Sequence, residues 1–443
     1  MIFSTLSFII FFTVFILFIK FTKFEQKKII ILFSLFFYGF WNPLFILLII
    51  YLSLITFFCS KNRYPLSVSL SLVFFPLIYF KYSYFLGTLF SQTEIPNFVY
   101  NFELPLAISF ITFTAAAFIV DLKRRTYIEE INFLSFLEFI IYFPQLIAGP
   151  ILRANELIPS LKKKIVFSSS QIKFGLVLFT VGFIKKVYFA DSIGTLIDPI
   201  FDNPDNSKPE DLVKGFLLFP LQIYFDFSGY VDMALGISNI LSIELPINFN
   251  KPYLSKSLTD FWRSWHITLS KWFKDYLYIP LGGSKTNEMR LFFNLITTMT
   301  LAGLWHGANF NFIIWGFLNG ILLFVEKKFF LNLRINKFFK IILNCFIIFN
   351  LWIVFRIQES DILIKYFILL YSNIDTFIIK ENLLVFIFTI LAIFSQKYDN
   401  YYFIKEKVKS SNLSFIVPII LLIVALGLTF SSGGSEKFIY FDF

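Results

Sequence analysis

Composition and hydropathy predict an all-α polytopic membrane protein. Hydrophobic residues fill 57% of the 443 positions and charged residues fill 15%, whereas a soluble domain holds about 45–50% apolar and about 25% charged residues. The mean hydropathy is +0.73. Apolar segments recur almost to the end of the chain, so we expect one integral membrane domain over residues 1–430 and a short tail over residues 431–443.

Charge and cysteine content narrow the possible functions. The formal net charge is +10, which we attribute to cytoplasmic loops that face anionic membrane lipid or anionic ligands. No block of basic residues stands on a soluble module, so we expect no nucleic-acid partner. Cys59 and Cys345 lie far apart, without CxxC or zinc-type spacing. This pattern predicts neither a disulfide framework nor a bound metal.

The first apolar segment, residues 2–19, predicts the orientation of the chain. No positive charge precedes it and no small-residue cleavage site follows it, so we do not interpret it as a cleavable signal. Four lysines follow it within residues 20–28. Because the positive-inside rule places such a cluster in the cytoplasm, we expect the N-terminus on the opposite side of the membrane. Further apolar segments lie near residues 29–58, 65–90, 103–120, 131–152, 172–190, 212–242, 291–305, 307–326, 337–356, 360–373, 376–395 and 413–430.

Two of these segments contain residues that interrupt a helix. The segment 29–58 contains Asn42-Pro43, and it forms either one long tilted helix or two short ones. The segment 131–152 has basic clusters on both sides and reads FPQLIAGP in its middle. We interpret it as a re-entrant element that enters the membrane and returns, because broken backbone at membrane depth persists only inside protein or beside a cavity. A span kinked at proline is the alternative.

Residues 213–250 place two carboxylates in an otherwise apolar stretch. Asp226 and Asp232 are six positions apart, which does not put them on one face of a straight helix. We expect Gly229, between them, to break the helix. Carboxylates inside a membrane segment usually face a bundle interior or a cavity.

The longest polar stretch, residues 251–290, is predicted to lie at the cytoplasmic side. Ser257 to Asp260 resembles a helix-capping signal, and Pro280 with the following glycines ends the helix. Between these signals the pattern predicts one amphipathic helix at the membrane interface. Its aromatic face would carry Trp262, Trp265, His266, Leu269, Trp272, Phe273 and Tyr276, and its basic face Arg263, Lys271 and Lys274.

The chain contains two histidines, His266 and His306, and each follows a tryptophan. An imidazole buried among apolar groups stays neutral and accepts a proton, which suits a general base. A core histidine held by a neighbour such as Asn309 is the alternative for His306. A metal pair is a poor interpretation, because no carboxylate or cysteine completes the ligand set. The sequence contains no GxSxG, phosphate-binding loop or HExxH motif.

Several longer motifs together resemble one enzyme family. They read PQLIAGPILR (144–153), YFDFSGYVDMALGI (224–237), LPINFNKPYLSKSLTDFWRSWHITLSKWFKDYLYIPLGGSK (245–285) and LAGLWHGANFNFIIWG (301–316), with a looser match over residues 104–124. The sequence resembles the membrane-bound O-acyltransferases, in particular the bacterial alginate and peptidoglycan O-acetyltransferase branch, with the teichoic acid D-alanylation transporter as a relative. The chain departs from the family pattern at Ser264, Lys274, Ala302 and Phe310.

The resemblance implies a bundle of about 11–13 transmembrane and re-entrant helices around a central funnel. It implies that His306 is the catalytic histidine and that His266 is the second family histidine. Acetyl-CoA is the expected donor, and a cell-surface polysaccharide such as peptidoglycan or an alginate-like polymer is the expected acceptor. The expected partner is a periplasmic SGNH-type acetyltransferase, which places the chain in the bacterial cytoplasmic (inner) membrane. Candidate donor contacts are Arg263, Lys271, Lys274, Trp305 and Asn309.

The tail FIYFDF resembles the acyl-carrying C-terminal peptide of the D-alanylation system. Tyr440 is therefore a candidate acyl carrier, and an aromatic anchor at the membrane interface is the alternative. Two other functions stay open at this point. One is a transporter or flippase for a lipid-linked saccharide, which buried carboxylates and re-entrant elements would also suit. The other is a lipid-modifying acyltransferase of the same superfamily.

Overall fold

The computed structural model describes residues 1–62, 64–90, 104–127, 129–147, 149–330, 336–372, 380–409 and 411–431. Within these ranges the regular secondary structure is helical and no strand occurs, which confirms the all-α prediction. Three helical segments of the described residues are long and apolar enough to cross a membrane: Leu66–Thr88, Phe310–Phe329 and Lys337–Arg356. Shorter apolar helices cover Leu6–Phe21, Phe45–Lys61, Leu383–Ser395 and Leu413–Thr429.

The first part of the chain forms short and medium helices. They are α1 (Leu6–Phe21), α2 (Gln26–Gly39), α3 (Phe45–Lys61), α4 (Leu66–Leu77), α5 (Ser83–Phe90), α6 (Ile108–Lys123), α7 (Phe133–Ile141), α8 (Phe143–Leu146) and α9 (Ala154–Leu161). The apolar segment 29–58 thus forms two helices rather than one. The break falls at Asn42-Pro43, where proline removes a backbone donor and the Asn42 side chain accepts from the Leu44 N–H at 3.0 Å.

The segment 131–152 is broken, as its proline and glycine residues predict. Helix α7 has nine residues, a length of roughly 14 Å against about 30 Å for the hydrocarbon core. The chain then turns at Tyr142 and forms the four-residue α8. The Gln145 side chain donates to the Phe139 carbonyl at 2.7 Å and so satisfies backbone that the break exposes. This geometry favours the re-entrant interpretation over a single kinked span.

The second part of the chain contains the longest helices. They are α10 (Ser169–Phe183), α11 (Asp191–Asp202), α12 (Pro209–Ile240), α13 (Leu258–Trp262), α14 (Ile267–Phe273), α15 (Glu288–His306), α16 (Phe310–Val325), α17 (Lys337–Arg356), α18 (Ser360–Ser372), α19 (Leu383–Ser395), α20 (Tyr401–Lys409) and α21 (Leu413–Ser431). Single π-helical turns follow α10, α14 and α16, at Ile184–Ala190, Lys274–Tyr278 and Glu326–Phe330.

The described residues group into two compact units. The first comprises residues 1–181, 230–246 and 412–431, and the second comprises residues 182–229 and 247–411. In the first unit, rings from α1, α2 and α8 pack together, with Phe143 5.4 Å from Phe11 and 5.2 Å from Phe15. Lipid tails are as apolar as these rings, so close packing rather than burial from water holds the helices together. The expectation of one membrane domain over residues 1–430 stays a prediction.

The second unit contains a buried ion pair that explains one intramembrane carboxylate. The Lys186 ammonium lies 2.7 Å from the Asp226 carboxylate and 2.7 Å from that of Asp191. The prediction that Gly229 breaks the helix is wrong, because α12 continues through it. A Cβ at Gly229 would lie 2.7 Å from the Gly182 carbonyl oxygen. The glycine therefore permits close helix contact, and that contact compensates for its low helix propensity.

Candidate active site

His306 is the last residue of α15, and three residues connect it to α16. Its side chain is 5% exposed. The rings of Trp305, Trp315 and Phe355 meet the imidazole edge to face, with centroids at 5.0, 5.4 and 5.0 Å. The Asn309 side chain caps α16 by accepting from the Asn311 N–H at 2.8 Å, as the local sequence favours.

Glycines on α15 and α16 bring the two helices into direct backbone contact. A Cβ at Gly303 would lie 2.1 Å from the Phe312 carbonyl oxygen, and one at Gly316 would lie 2.2 Å from that of Met299. A Cβ at Gly307 would lie 2.2 Å from the Phe312 ring. The small residues on both sides of Trp305-His306 therefore serve helix packing, and that packing determines where the imidazole lies.

A cavity of about 130 Å³ lies beside His306. Most of its lining is apolar, and the polar groups come from α14, α15 and the π-helical turn after α14. The lining residues are Trp262, Leu269, Ser270, Phe273, Lys274, Tyr278, Leu295, Thr298, Met299, Ala302, His306, Trp315 and Leu323. A concave, mostly apolar site with a few placed polar groups is the usual form of a small-molecule site.

A larger cavity, of about 720 Å³, lies next to the first. Its charged lining consists of one carboxylate, Asp260, and four cations: Arg263, Lys271, Lys274 and Lys327. Arg263, Lys271 and Lys274 are exposed, and the Arg263 guanidinium lies 3.7 Å from the Asp260 carboxylate. The excess of positive charge suits an anionic ligand.

The two cavities are adjacent because six residues line both. These residues are Trp262, Ser270, Lys274, Tyr278, Leu295 and Leu323. The pair of cavities therefore combines a larger, basic part with a smaller, mostly apolar part beside His306. Hydrogen bonds fix two of these shared side chains. The Tyr278 hydroxyl lies 3.0 Å from the Ser284 hydroxyl, and the Trp262 indole N–H donates to the Asn319 side-chain oxygen at 3.2 Å.

The prediction of one amphipathic helix over the polar stretch is wrong. Helix α13 ends at Trp262, a turn follows, and α14 begins at Ile267. The predicted cap is confirmed, because the Ser257 hydroxyl accepts from the Asp260 N–H at 3.1 Å. His266 adopts a left-handed backbone conformation with φ 41°, which costs a non-glycine residue roughly 1–2 kcal/mol. Helical periodicity did not reveal this turn, because the residues in it are compatible with a helix.

His266 is fully buried and lines neither cavity. Its imidazole meets the Phe227 ring at 4.7 Å and the Trp305 ring at 5.9 Å. Burial lowers the pKa of the His266 imidazole to about 3, because the charged form loses its hydration. The ring is therefore neutral at neutral pH. Trp305 contacts both histidines and so connects them.

The structure separates the predicted site residues into two groups. His306, Arg263, Lys271 and Lys274 line one or both cavities, whereas the other three lie outside the lining of both. Those three are His266, Trp305 and Asn309. Tyr440 lies outside the described residues. The roles predicted for all of these site residues stay predictions.

Several lining residues were not predicted as site residues from the sequence, and four of them show why. Ser270, Tyr278 and Thr298 stand in apolar or amphipathic contexts that carry no catalytic signal. Lys327 had a usable signal, since it follows an apolar run in the polar triplet Glu326–Lys328. Only the fold brings it to Arg263 and Lys271, which precede it by more than fifty positions.

Comparison with known proteins identifies the family. The model of the MBOAT, membrane-bound O-acyltransferase family, matches residues 79–360, a range that contains both histidines. The chain is 38% identical over 293 residues to the probable alginate O-acetylase of Pseudomonas aeruginosa, covering 64% of this chain and 56% of that protein. It is 36% identical over 385 residues to the peptidoglycan O-acetyltransferase of Helicobacter pylori, covering 76% and 72%.

A more distant similarity extends to a third type of protein. The chain is 29% identical over 243 residues to the teichoic acid D-alanyltransferase of Bacillus subtilis, covering 50% of this chain and 60% of that protein. The chain thus spans little more than half the length of the alginate relative and nearly three quarters of the peptidoglycan relative. The family match over more than half of the chain shows that the protein belongs to the membrane-bound O-acyltransferase family.

Proposed function

We propose that this protein is a membrane-bound O-acetyltransferase. It takes an acetyl group from acetyl-CoA on the cytoplasmic side of the bacterial inner membrane and passes it outward for O-acetylation of a cell-surface polysaccharide. The names of two relatives specify alginate and peptidoglycan, and they support an acceptor of that class. Family membership supports acyl transfer as the reaction.

The adjacency of the two cavities carries the proposal. CoA bears several phosphate groups, and the four cations of the larger cavity offer charge-assisted contacts to them. Lys274 lines both cavities and marks the passage from one to the other. The acetyl thioester at the far end of CoA then lies in the smaller, apolar cavity beside His306. A donor in this orientation has its reactive carbonyl among mostly apolar side chains.

His306 is the proposed general base. Its imidazole takes the proton from the acceptor hydroxyl while the hydroxyl oxygen attacks the thioester carbonyl. The carbon–sulfur bond then breaks, an acetyl ester remains on the acceptor, and the imidazolium returns the proton to the departing thiolate, which leaves as CoA thiol. A positioned base contributes roughly 10²–10⁴-fold to such a step. His266, on the far side of Trp305, orients this region rather than touching the donor.

The acceptor hydroxyl belongs either to Tyr440 or to a later acceptor. We propose that Tyr440 carries the acetyl group transiently and that a periplasmic SGNH-type transferase moves it to the polysaccharide. Incubation with acetyl-labelled CoA followed by peptide mapping tests the carrier. Label on the C-terminal peptide, lost in Tyr440→Phe, supports it. Label absent from that peptide while CoA is still released contradicts it.

The central test is release of CoA thiol by the purified protein. His306→Ala should lower acetyl transfer by roughly 10²–10⁴-fold, because the base is lost. Phe310→Ala is the matched control, since this side chain lies four positions away and is 53% exposed. It should retain activity. The native thiols add little background, because Cys59 and Cys345 are both buried. Full activity in His306→Ala would remove this residue from the base role.

The same assay separates the proposal from a saccharide flippase. A flippase would move its lipid-linked substrate without consuming acetyl-CoA. One of the carboxylates that suggested transport, Asp226, is engaged in an ion pair with Lys186 at 2.7 Å. No release of CoA by the wild-type protein, with saccharide movement retained, would favour the flippase.

A further inference from the structure

The motif LPINFN, residues 245–250, has no role in the site described so far. In the fold, its last residues run beside the turn that contains His266. The Asn250 N–H donates to the Ser264 carbonyl at 3.0 Å, and the Ile267 N–H donates to the Asn248 carbonyl at 3.0 Å. Backbone hydrogen bonds therefore join the two segments before and after His266.

The Asn248 side chain adds two further hydrogen bonds to this junction. Its carboxamide oxygen accepts from the Thr268 N–H at 3.0 Å and from the Thr268 hydroxyl at 2.7 Å. Asn248 is fully buried, at 0% exposure. The backbone oxygen and the side-chain oxygen of Asn248 thus both accept hydrogen bonds from the first residues of α14.

This arrangement replaces the usual cap of a helix. The residue before a helix normally accepts from the second or third backbone N–H of that helix with its own side chain. His266 occupies that position, but its side chain makes no such bond. Asn248 instead accepts from the second N–H, that of Thr268. The imidazole of His266 is thereby released from capping and packs against Phe227 and Trp305.

The left-handed backbone of His266 makes this support necessary. A non-glycine residue with φ 41° persists only where its surroundings hold it. The nearest alternative, a right-handed conformation, would let α13 and α14 join into the single helix that the sequence pattern predicts. The hydrogen bonds that Asn248 accepts from Ile267 and Thr268 oppose that alternative.

We propose that Asn248 is a positioning residue that holds His266 in its left-handed turn and so keeps the His266 ring against Trp305. Its functional consequence rests on the acetyltransferase function proposed above. The Trp305 ring contacts both imidazoles, at 5.9 Å from His266 and 5.0 Å from His306. Loss of Asn248 therefore disturbs the wall behind the catalytic histidine while the basic donor cavity, which Asn248 does not line, stays intact.

The first experiment observes the histidines directly and needs no activity. The chain contains two histidines, so labelling histidine rings with ¹³C and ¹⁵N gives two sets of NMR signals, which the His306→Ala variant assigns. Asn248→Ala should shift the His266 ring signals strongly and, through the Trp305 ring that contacts both imidazoles, shift those of His306 by a smaller amount. Asn344→Ala is the matched control, because Asn344 is equally buried and donates to the Ser255 carbonyl at 3.1 Å. It should shift neither.

The second experiment measures steady-state kinetics with acetyl-CoA. Asn248→Ala should lower kcat by roughly ten- to a hundredfold, the usual cost of displacing a catalytic group. KM for acetyl-CoA should change little, because the cations that contact the donor are unaffected. Asn344→Ala should change neither constant. A larger rise in KM than fall in kcat would overturn the positioning role.

A milder variant decides the case if Asn248→Ala does not fold. Thr268→Val removes the hydroxyl donor to Asn248 while the backbone bond remains. It should shift the His266 ring signals away from their wild-type positions, while Asn344→Ala leaves them in place. Unchanged His266 signals in a folded Thr268→Val protein, or in a folded Asn248→Ala protein, overturn the proposal. Wild-type protein without acetyl transfer, but with these NMR shifts, would refute the proposed function and leave the positioning role of Asn248 standing.

Discussion

At the scale of single residues, His306 and the four cations of the larger cavity carry the proposed chemistry. Three aromatic rings contact the imidazole, and the cations line the larger cavity, where Arg263, Lys271 and Lys274 are exposed. In the proposed mechanism this arrangement separates two tasks, since phosphate recognition uses exposed positive charge and proton transfer uses a ring in an apolar wall. Substitutions at the two places should therefore change different kinetic constants.

Lys327 gives a direct test of the donor cavity, the larger cavity that we propose holds the CoA phosphates. Lys327→Ala should raise KM for acetyl-CoA roughly fivefold, corresponding to the loss of about 1 kcal/mol from one partly exposed ionic contact. Its kcat should change little. Lys256→Ala is the control, because Lys256 is exposed nearby but does not line this cavity. Both KM values are measured at low and at moderate salt, and the difference between them should shrink as salt screens the charges. Equal effects of the two variants would contradict the assignment.

At the scale of helices, backbone contact between α15 and α16 holds His306 in place. Glycine to alanine in a helix interior normally stabilises by roughly 0.5–1 kcal/mol. At Gly316 we expect the opposite sign, because the added Cβ would lie 2.2 Å from the Met299 carbonyl oxygen. Relief of that overlap must separate the helices, which costs typically about 1–3 kcal/mol.

Gly316→Ala should therefore lower both the midpoint of thermal unfolding and kcat. Tryptophan fluorescence of the purified protein follows the unfolding. Ile314→Ala is the control on the same helix, because this side chain is 41% exposed, and it should leave kcat unchanged. A Gly316→Ala protein that is more stable than wild type and fully active would show that the contact between α15 and α16 does not position His306.

The ion pair between Lys186 and Asp226 connects helices of the second unit. Their side chains are 2% and 1% exposed, and removal of one partner from a buried pair costs about 3–5 kcal/mol because the other charge stays buried. Lys186→Met should accordingly lower the midpoint of thermal unfolding strongly. Lys365→Met removes the exposed pair with Asp205, at 57% and 55% exposure, and should cost about 0–1 kcal/mol. Similar losses in the two variants would contradict the importance of burial.

At the scale of the whole molecule, the positive-inside rule predicts which loops face the cytoplasm. Lys285 lies in the polar stretch assigned to the cytoplasmic side, and Asn206 lies in the acidic turn before α12. Helix α12 is not among the three apolar spans named above, but its 32 residues extend roughly 48 Å, which exceeds the hydrocarbon thickness of about 30 Å. We therefore expect positions 206 and 285 to face opposite sides of the membrane.

Labelling of single cysteines tests this orientation. A membrane-impermeant maleimide should label Lys285→Cys only in inverted vesicles and Asn206→Cys only in right-side-out vesicles. The native protein is the control, because Cys59 and Cys345 are buried and should react weakly in both. Labelling of Lys285→Cys from outside would reverse the orientation and place the donor cavity on the wrong side for cytoplasmic acetyl-CoA.

Composition, helix-breaking residues and local motifs alone predicted the fold class and several residues of the candidate site. Hydropathy predicted the all-α membrane fold, and Ser257 predicted a cap that the structure confirms. Asn42-Pro43 allowed one long helix or two short ones, and the structure shows two. The family motifs marked His306 and three of the four cations of the donor cavity. These features follow from a few neighbouring residues, because turn chemistry, capping and solubility in lipid are local properties of the chain.

Packing between distant segments decided the rest. Gly229 does not break α12, because the absence of a side chain there lets the Gly182 backbone approach closely. His266 lies in a turn rather than in the predicted helix, because Asn248 accepts hydrogen bonds that hold the turn. Lys327 joins Arg263 and Lys271 only through the fold. Helical periodicity weighs each residue against its near neighbours, whereas these outcomes depend on hydrogen bonds, ion pairs and backbone contacts that the sequence order does not display.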